Sequence, residues 1–164
     1  MIFKRGLASL LGQLSATAVF DRSRLDAIVA HEATELLVAR LDGKLVGTAT
    51  LVIFPLPTGW RGHVEDVVVD ESARGHGVAR RLLRRMTEVA EARGLRTLDL
   101  TSRPSRESAL RLYESVGFIR RETTVLRFTP SKDAARLPVP FRASNGGKVV
   151  AFLRRAGAML YSAG

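Results

Sequence analysis

Val67-Val68-Val69-Asp70-Glu71-Ser72-Ala73-Arg74-Gly75-His76-Gly77-Val78-Ala79-Arg80-Arg81-Leu82-Leu83 decides the fold. Its first residues are β-branched and read as the end of a strand. From Val78 the period becomes helical, with Val78, Leu82, Leu83, Met86, Val89 and Ala90 on one face and Arg80, Arg81, Arg84, Arg85, Glu88 and Glu91 on the other. The turn between them carries two glycines, which let backbone approach a ligand closely, and the helix begins with unpaired N–H groups at the positive end of its dipole. Backbone alone can bind a diphosphate this way. No Gly-Lys-Ser/Thr follows, which excludes a Walker A loop, and the glycine spacing is not that of a Rossmann fingerprint.

Working outward, His63 to Val69 is a strand with two adjacent carboxylates, Glu65 and Asp66. Before it, Leu36 to Leu41, the Asp42-Gly43 turn and Leu45 to Phe54 form a hairpin signal, followed by a loop over Pro55 to Gly62. Leu7, Leu10, Leu11 and Leu14 recur at helical spacing, and Ser23 to Ala30 reads as a second, short helix. Downstream, Gly94 ends the main helix and Leu95 to Thr101 alternates as a strand. Ser105 is placed to cap a helix over Arg106 to Val116, stopped by Gly117. Phe118 to Arg121 and Thr123 to Phe128 read as closing strands. Strand–helix–strand–helix–strand order implies an α/β sheet with a parallel section.

Residues 1–130 form the expected main domain, and 131–164 a basic appendage whose stretch Lys148 to Tyr161 reads as a helix interrupted at Gly157. The net charge is +10, and half of it lies in that appendage, where Lys132, Arg136, Arg142, Lys148, Arg154 and Arg155 stand against Asp133. The tail lacks the aromatic interleaving of a base-stacking surface, which argues against nucleic acid. Its apolar residues make a second subunit a candidate partner. With no cysteine among 164 residues there is no disulfide framework, thiol nucleophile or thiolate metal site. His31, His63 and His76 have no metal-ligand spacing, so no metal is expected. No run reaches the roughly 20 apolar residues of a membrane span, and a cytoplasmic location is expected.

Arg74-Gly75-His76-Gly77-Val78-Ala79 matches the Arg/Gln-x-x-Gly-x-Gly/Ala signature of the GNAT superfamily of N-acetyltransferases, and Leu112-Tyr113-Glu114-Ser115-Val116-Gly117-Phe118 resembles its closing Leu-Tyr-x-x-x-Gly-Phe motif. Gly62 to Val69 is similar to the strand before the cofactor turn in glucosamine-6-phosphate N-acetyltransferases and related bacterial members. The resemblance spans roughly Leu7 to Phe128. It implies acetyl-CoA as cosubstrate and the GNAT fold, of the α/β (α+β) class, with a mixed, mostly antiparallel central sheet, a parallel section and helices on both faces. Val67 and Val69, flanking Val68, would pair through their main chain with the pantetheine arm. The amides of Arg74, Gly75, His76, Gly77, Val78 and Ala79 would hold the pyrophosphate, and Arg80 or Arg81 would reach the adenosine phosphate. In two places the chain departs from the family. Arg106 stands where many members have asparagine, and the first strand is reduced to Met1 to Lys4.

Acyl transfer to an amine needs a neutral nucleophile, oxyanion stabilisation and a proton for the departing thiolate. Tyr113, a phenol with an ordinary pKa of about 10, matches the family's general acid. Glu65 corresponds to the family's acidic residue on the strand and is the expected base or amine-positioning group. Adjacent strand residues point to opposite faces, so Asp66 is its alternative rather than its partner. A backbone N–H near Val67 is the expected oxyanion donor, and His63 is a candidate for lining the acceptor cleft. The expected activity is acetyl transfer from acetyl-CoA to a small-molecule or peptide primary amine by direct attack, with the Pro55 to Arg61 loop contributing to acceptor choice. A catalytically idle acyl-CoA-binding protein with a partner-binding tail is the alternative.

Overall fold

Lys44–Leu56 is a mostly apolar run, and it forms a strand with a neighbour on each side within the sheet. The structure, a computed structural model, describes residues 2–15, 17, 19–130, 149–153 and 159–163, the last two segments as backbone. Helix α1 (Ile2–Leu14) and α2 (Arg22–Ala30) precede β1 (Thr34–Leu41), β2 (Lys44–Leu56) and β3 (Gly59–Val69). A 3-10 turn over Glu71–Ala73 leads to α3 (Val78–Ala92), then β4 (Thr97–Leu100) and α4 (Glu107–Glu114). The sheet order is β1-β2-β3-β4, antiparallel except for the parallel pair β3 and β4. Asp42 (φ 48) and Gly43 (φ 76) take the left-handed turn angles the Asp-Gly pair predicted.

Successive residues of β2 face opposite ways, and each face has its own cover. Ala49, Leu51 and Ile53 meet Val64 of β3, Leu82, Leu83, Met86 and Val89 of α3, and Tyr113 of α4 in one buried cluster. A Cβ on Gly47 would come within 3.0 Å of Val78 Cγ1, so the glycine lets α3 lie close to the sheet. On the other face, Thr48 and Thr50 look toward Leu7, Leu11 and Leu14 of α1. Leu7, Leu10 and Leu25 are buried there.

The structure corrects several expectations. Ile2 to Lys4 belong to α1 and not to a residual first strand. Pro55 pairs with Trp60 and Leu56 with Gly59, so the expected loop is the tip of the β2–β3 hairpin. Trp60 lies six residues along β3 from Asp66, roughly 20 Å at about 3.3 Å per residue. That removes the tip from the vicinity of the carboxylates. Helix α4 starts at Glu107, with Arg106 rather than Ser105 at its cap position and no side-chain cap bond. Phe118 to Arg121 and Thr123 to Phe128 form no strand. Phe118 packs back on α4, Ile119 is 86% exposed, and a strand needs a partner that no described residue supplies.

The chain divides into two compact units, Met1–Glu122 and Thr123–Gly164. In the second, the expected helix is replaced by two antiparallel strands, β5 (Val149–Leu153) and β6 (Met159–Ala163), with Val149 opposite Ala163 and Leu153 opposite Met159. Val149, Val150 and Phe152 carry the β-branched and aromatic preference for strand that outweighed the helical spacing. Gly157 lies outside the described residues.

Candidate active site

Strand β3 carries an irregularity at its centre. Thr48 pairs with Val68 and Thr50 with Glu65, which leaves Asp66 and Val67 together opposite Ala49. This is a β-bulge, and its first residue, Asp66, has φ 52. Asp tolerates that angle better than most non-glycine residues. The bulge overturns the expectation that Glu65 and Asp66 face opposite sides. Glu65 shares the face of its cross-strand partner Thr50, and Asp66 lines a cavity together with Thr48 and Thr50. His63 is on this face too, with Nε2 3.2 Å from Glu65 Oε1.

On its other edge β3 pairs with β4 only from Arg61–Thr97 to Val64–Leu100. Strand β4 ends there while β3 runs on through Glu65–Val69, still paired to β2. A bulge sharpens local twist, which swings this part of β3 away from β4's line. The exposed edge offers alternating N–H and C=O groups to any extended partner.

At the end of β3 the chain enters the glycine turn. Gly75 (φ 80) and Gly77 (φ 73) hold left-handed angles, and a Cβ at either would meet nothing within 4 Å. Gly77 is the N-cap of α3 and supplies no side-chain cap bond. The first backbone bond into the helix runs from the Arg81 N–H to the Gly77 carbonyl at 3.1 Å. The amides of Gly75, His76, Gly77, Val78, Ala79 and Arg80 have no acceptor among the described residues, whereas the Arg74 N–H, expected among the donors, is spent on the Glu71 carbonyl at 3.3 Å. His76 is tied back, its Nδ1 3.0 Å from the Arg74 carbonyl oxygen.

Gln13 fixes the start of this turn, a role its place on an amphipathic helix gave no hint of. Its Nε2 donates to Asp70 Oδ2 at 2.9 Å, and its Oε1 accepts from the Glu71 N–H at 3.1 Å. Asp70 also accepts from the Ser72 hydroxyl and N–H. The Ser72 hydroxyl first, and then Gln13, hold the Asp70 carboxyl below its ordinary value of 3.8.

Tyr113 sits 8% exposed in the cluster under α3, on the opposite side of the sheet from Glu65. The Leu-Tyr-x-x-x-Gly-Phe segment builds its surroundings as a helix stop. The Phe118 N–H donates to the Tyr113 carbonyl and the Gly117 N–H to the Glu114 carbonyl, both at 3.1 Å. This double closure is a Schellman motif and requires the positive φ that Gly117 adopts, 100°. The motif's usual apolar contact is here a ring pair, Tyr113 edge-on to Phe118 at 6.2 Å. No hydrogen bond or ion pair joins Tyr113 to Glu65 or Asp66 among the described residues, so the structure brings the two carboxylates together and keeps the phenol apart.

A cavity of about 290 Å³ opens between α1, α2 and the sheet, floored by Thr48, Thr50 and Asp66. Sequence reading did not foresee it, because nothing in the α1 or α2 pattern distinguishes a residue lining a cavity from one filling a core.

The chain matches the family model of the acetyltransferase (GNAT) family over residues 8–118. It is 32% identical to glucosamine 6-phosphate N-acetyltransferase 1 of Oryza sativa subsp. japonica over 127 residues, covering 71% of this chain and 75% of that protein. A solved acetyltransferase of Trypanosoma brucei superposes with a TM-score of 0.63 at 30% identity, covering 77% of this chain and 92% of that one. The ribosomal-protein-alanine N-acetyltransferase of Brucella melitensis biovar Abortus 2308 gives a TM-score of 0.62 at 28% identity, covering 76% and 93%.

Proposed function

Because the chain belongs to the acetyltransferase (GNAT) family, we propose that it transfers the acetyl group of acetyl-CoA to a primary amine by direct attack in a ternary complex. The observation that carries the cosubstrate site is the run of six amides, Gly75 to Arg80, without acceptors at the start of α3. Donors in this number, at the positive end of a helix, fit a pyrophosphate. The free edge of Glu65–Val69 fits the extended, amide-bearing pantetheine arm as an added strand. Acetyl-CoA supplies an acyl group already activated as a thioester.

This chain's residues supply the rest. The gap between β3 and β4 connects the face of Glu65 and Asp66 with the face of Tyr113. Asp66, lining the cavity, holds the incoming amine. Glu65, beside His63 at 3.2 Å, receives the amine's proton through water. A main-chain N–H at the bulge beside Val67 steadies the oxygen as the amine nitrogen bonds to the acyl carbon. As the carbon–sulfur bond breaks, Tyr113 gives its phenolic proton to the sulfur and is later reprotonated from solvent. Relatives with different named acceptors, glucosamine 6-phosphate and ribosomal-protein alanine, share this frame. Family membership therefore does not fix the acceptor.

Acetyl-CoA should raise the melting temperature of the protein by mass action, and Gly77→Asp should abolish the rise by placing bulk and negative charge among the amides. Retention of the full rise in Gly77→Asp overturns the assignment of the turn.

A further inference from the structure

We propose that the acceptor is a small primary amine carried on an uncharged, largely apolar body, of the arylalkylamine kind, and not a phosphorylated amino sugar. This rests on the acetyltransferase reading above and concerns the acceptor half of the same site. The cavity's walls are Leu7, Leu11 and Leu14 of α1, Phe20, Ile28 of α2 and Leu36 of β1. Its charged lining residues are three, Asp21, Arg24 and Asp66. Two of them offset each other in charge. Asp21 caps α2, its Oδ1 accepting from the Ser23 hydroxyl and the Arg24 N–H, and its Oδ2 lies 4.0 Å from Arg24 Nη2. The third, Asp66, has no hydrogen bond or ion pair to any described residue.

The cavity thus presents one unpartnered negative charge between apolar walls. Thr48 is spent on the Leu37 carbonyl at 3.0 Å, while the Thr50 hydroxyl makes no hydrogen bond among the described residues and is available beside Asp66. An ammonium group entering such a space finds its counter-charge, and an apolar body finds apolar walls. A phosphate meets a lining of net negative charge, in which Arg24, the one cation, is balanced by Asp21 4.0 Å away, and like charge disfavours it. A volume of about 290 Å³ suits a single small ligand.

The test measures kcat/KM at saturating acetyl-CoA for 2-phenylethylamine, glucosamine 6-phosphate and an alanine-ended hexapeptide. Stabilisation by acetyl-CoA is followed in parallel. The expected result is a preference of about 100-fold or more for phenylethylamine over both competitors. Thr50→Phe, which fills the cavity, should raise the phenylethylamine KM about tenfold or more and leave acetyl-CoA stabilisation unchanged. Leu14→Lys, which adds a positive charge to the wall, should narrow the preference over glucosamine 6-phosphate. Equal or better use of glucosamine 6-phosphate or the peptide overturns the inference, and so does an unchanged preference in both variants. If acetyl-CoA stabilises the protein but none of the three amines is acetylated, the acceptor class is wrong and the cosubstrate site stands. If acetyl-CoA does not stabilise it either, the acetyltransferase site itself is wrong.

Discussion

At φ 52, Asp66 sits in a backbone region that a β-branched residue would resist, and that single angle places two neighbouring carboxylates on one side of the sheet. Their presence was legible in the sequence, because acidic residues stand out in a run of valines. Their common side was not, because period-2 alternation presumes a strand without a bulge. Tyr113 was legible for the opposite reason: it lies in a motif whose glycine and phenylalanine have local work to do, and the Schellman closure by Gly117 and Phe118 accounts for both. A phenol that donates the proton to sulfur can be separated from one that only packs. Tyr113→Phe keeps the ring edge against Phe118 and should keep acetyl-CoA stabilisation while lowering kcat about 10²- to 10⁴-fold. Wild-type turnover in that variant would make Tyr113 a packing residue.

Among the elements, α3 and the turn of the β1–β2 hairpin were readable, since each carries a local signal: in α3 the Leu95 N–H bonds to the Ala90 carbonyl and the Gly94 N–H to the Glu91 carbonyl, as a glycine stop demands. The strands expected after Phe118 failed because a strand is defined by its neighbour, which no local pattern reveals. The turn between β3 and α3 was legible in its glycines but not in its anchor. Folding lowers the pKa of Asp70, so its bonds contribute stability at pH values above the unfolded carboxyl's ordinary value of 3.8 and lose it as pH falls through the lower folded value. The melting temperature of Asp70→Asn should therefore lie below that of the wild type at neutral pH, and the gap should close as the pH drops from about 5 toward 3. A gap that widens on acidification would contradict this account of the turn.

For the whole molecule, Met1–Glu122 contains the four-stranded sheet, its helices and every residue assigned to the site. A chain ending after Pro130 should fold and keep its stabilisation by acetyl-CoA, as followed by thermal melting, while shedding half of the protein's net positive charge. An insoluble or molten product would make the remainder part of the core. Gln13 has a larger reach than its two bonds suggest. It holds Asp70 and Glu71 before the amide run, and its neighbour Leu14 and nearby Leu11 wall the cavity proposed for the acceptor. One helix end is thus a strut common to the seats proposed for both substrates, and if both are as proposed, thermodynamic linkage requires that whatever one ligand does to the strut, the other must feel equally. Amine affinity should differ with and without bound CoA, by no more than the about 0.5–1.5 kcal/mol of a net hydrogen bond. In Gln13→Ala the two affinities should converge, each ligand then binding as though the other's seat belonged to a different protein.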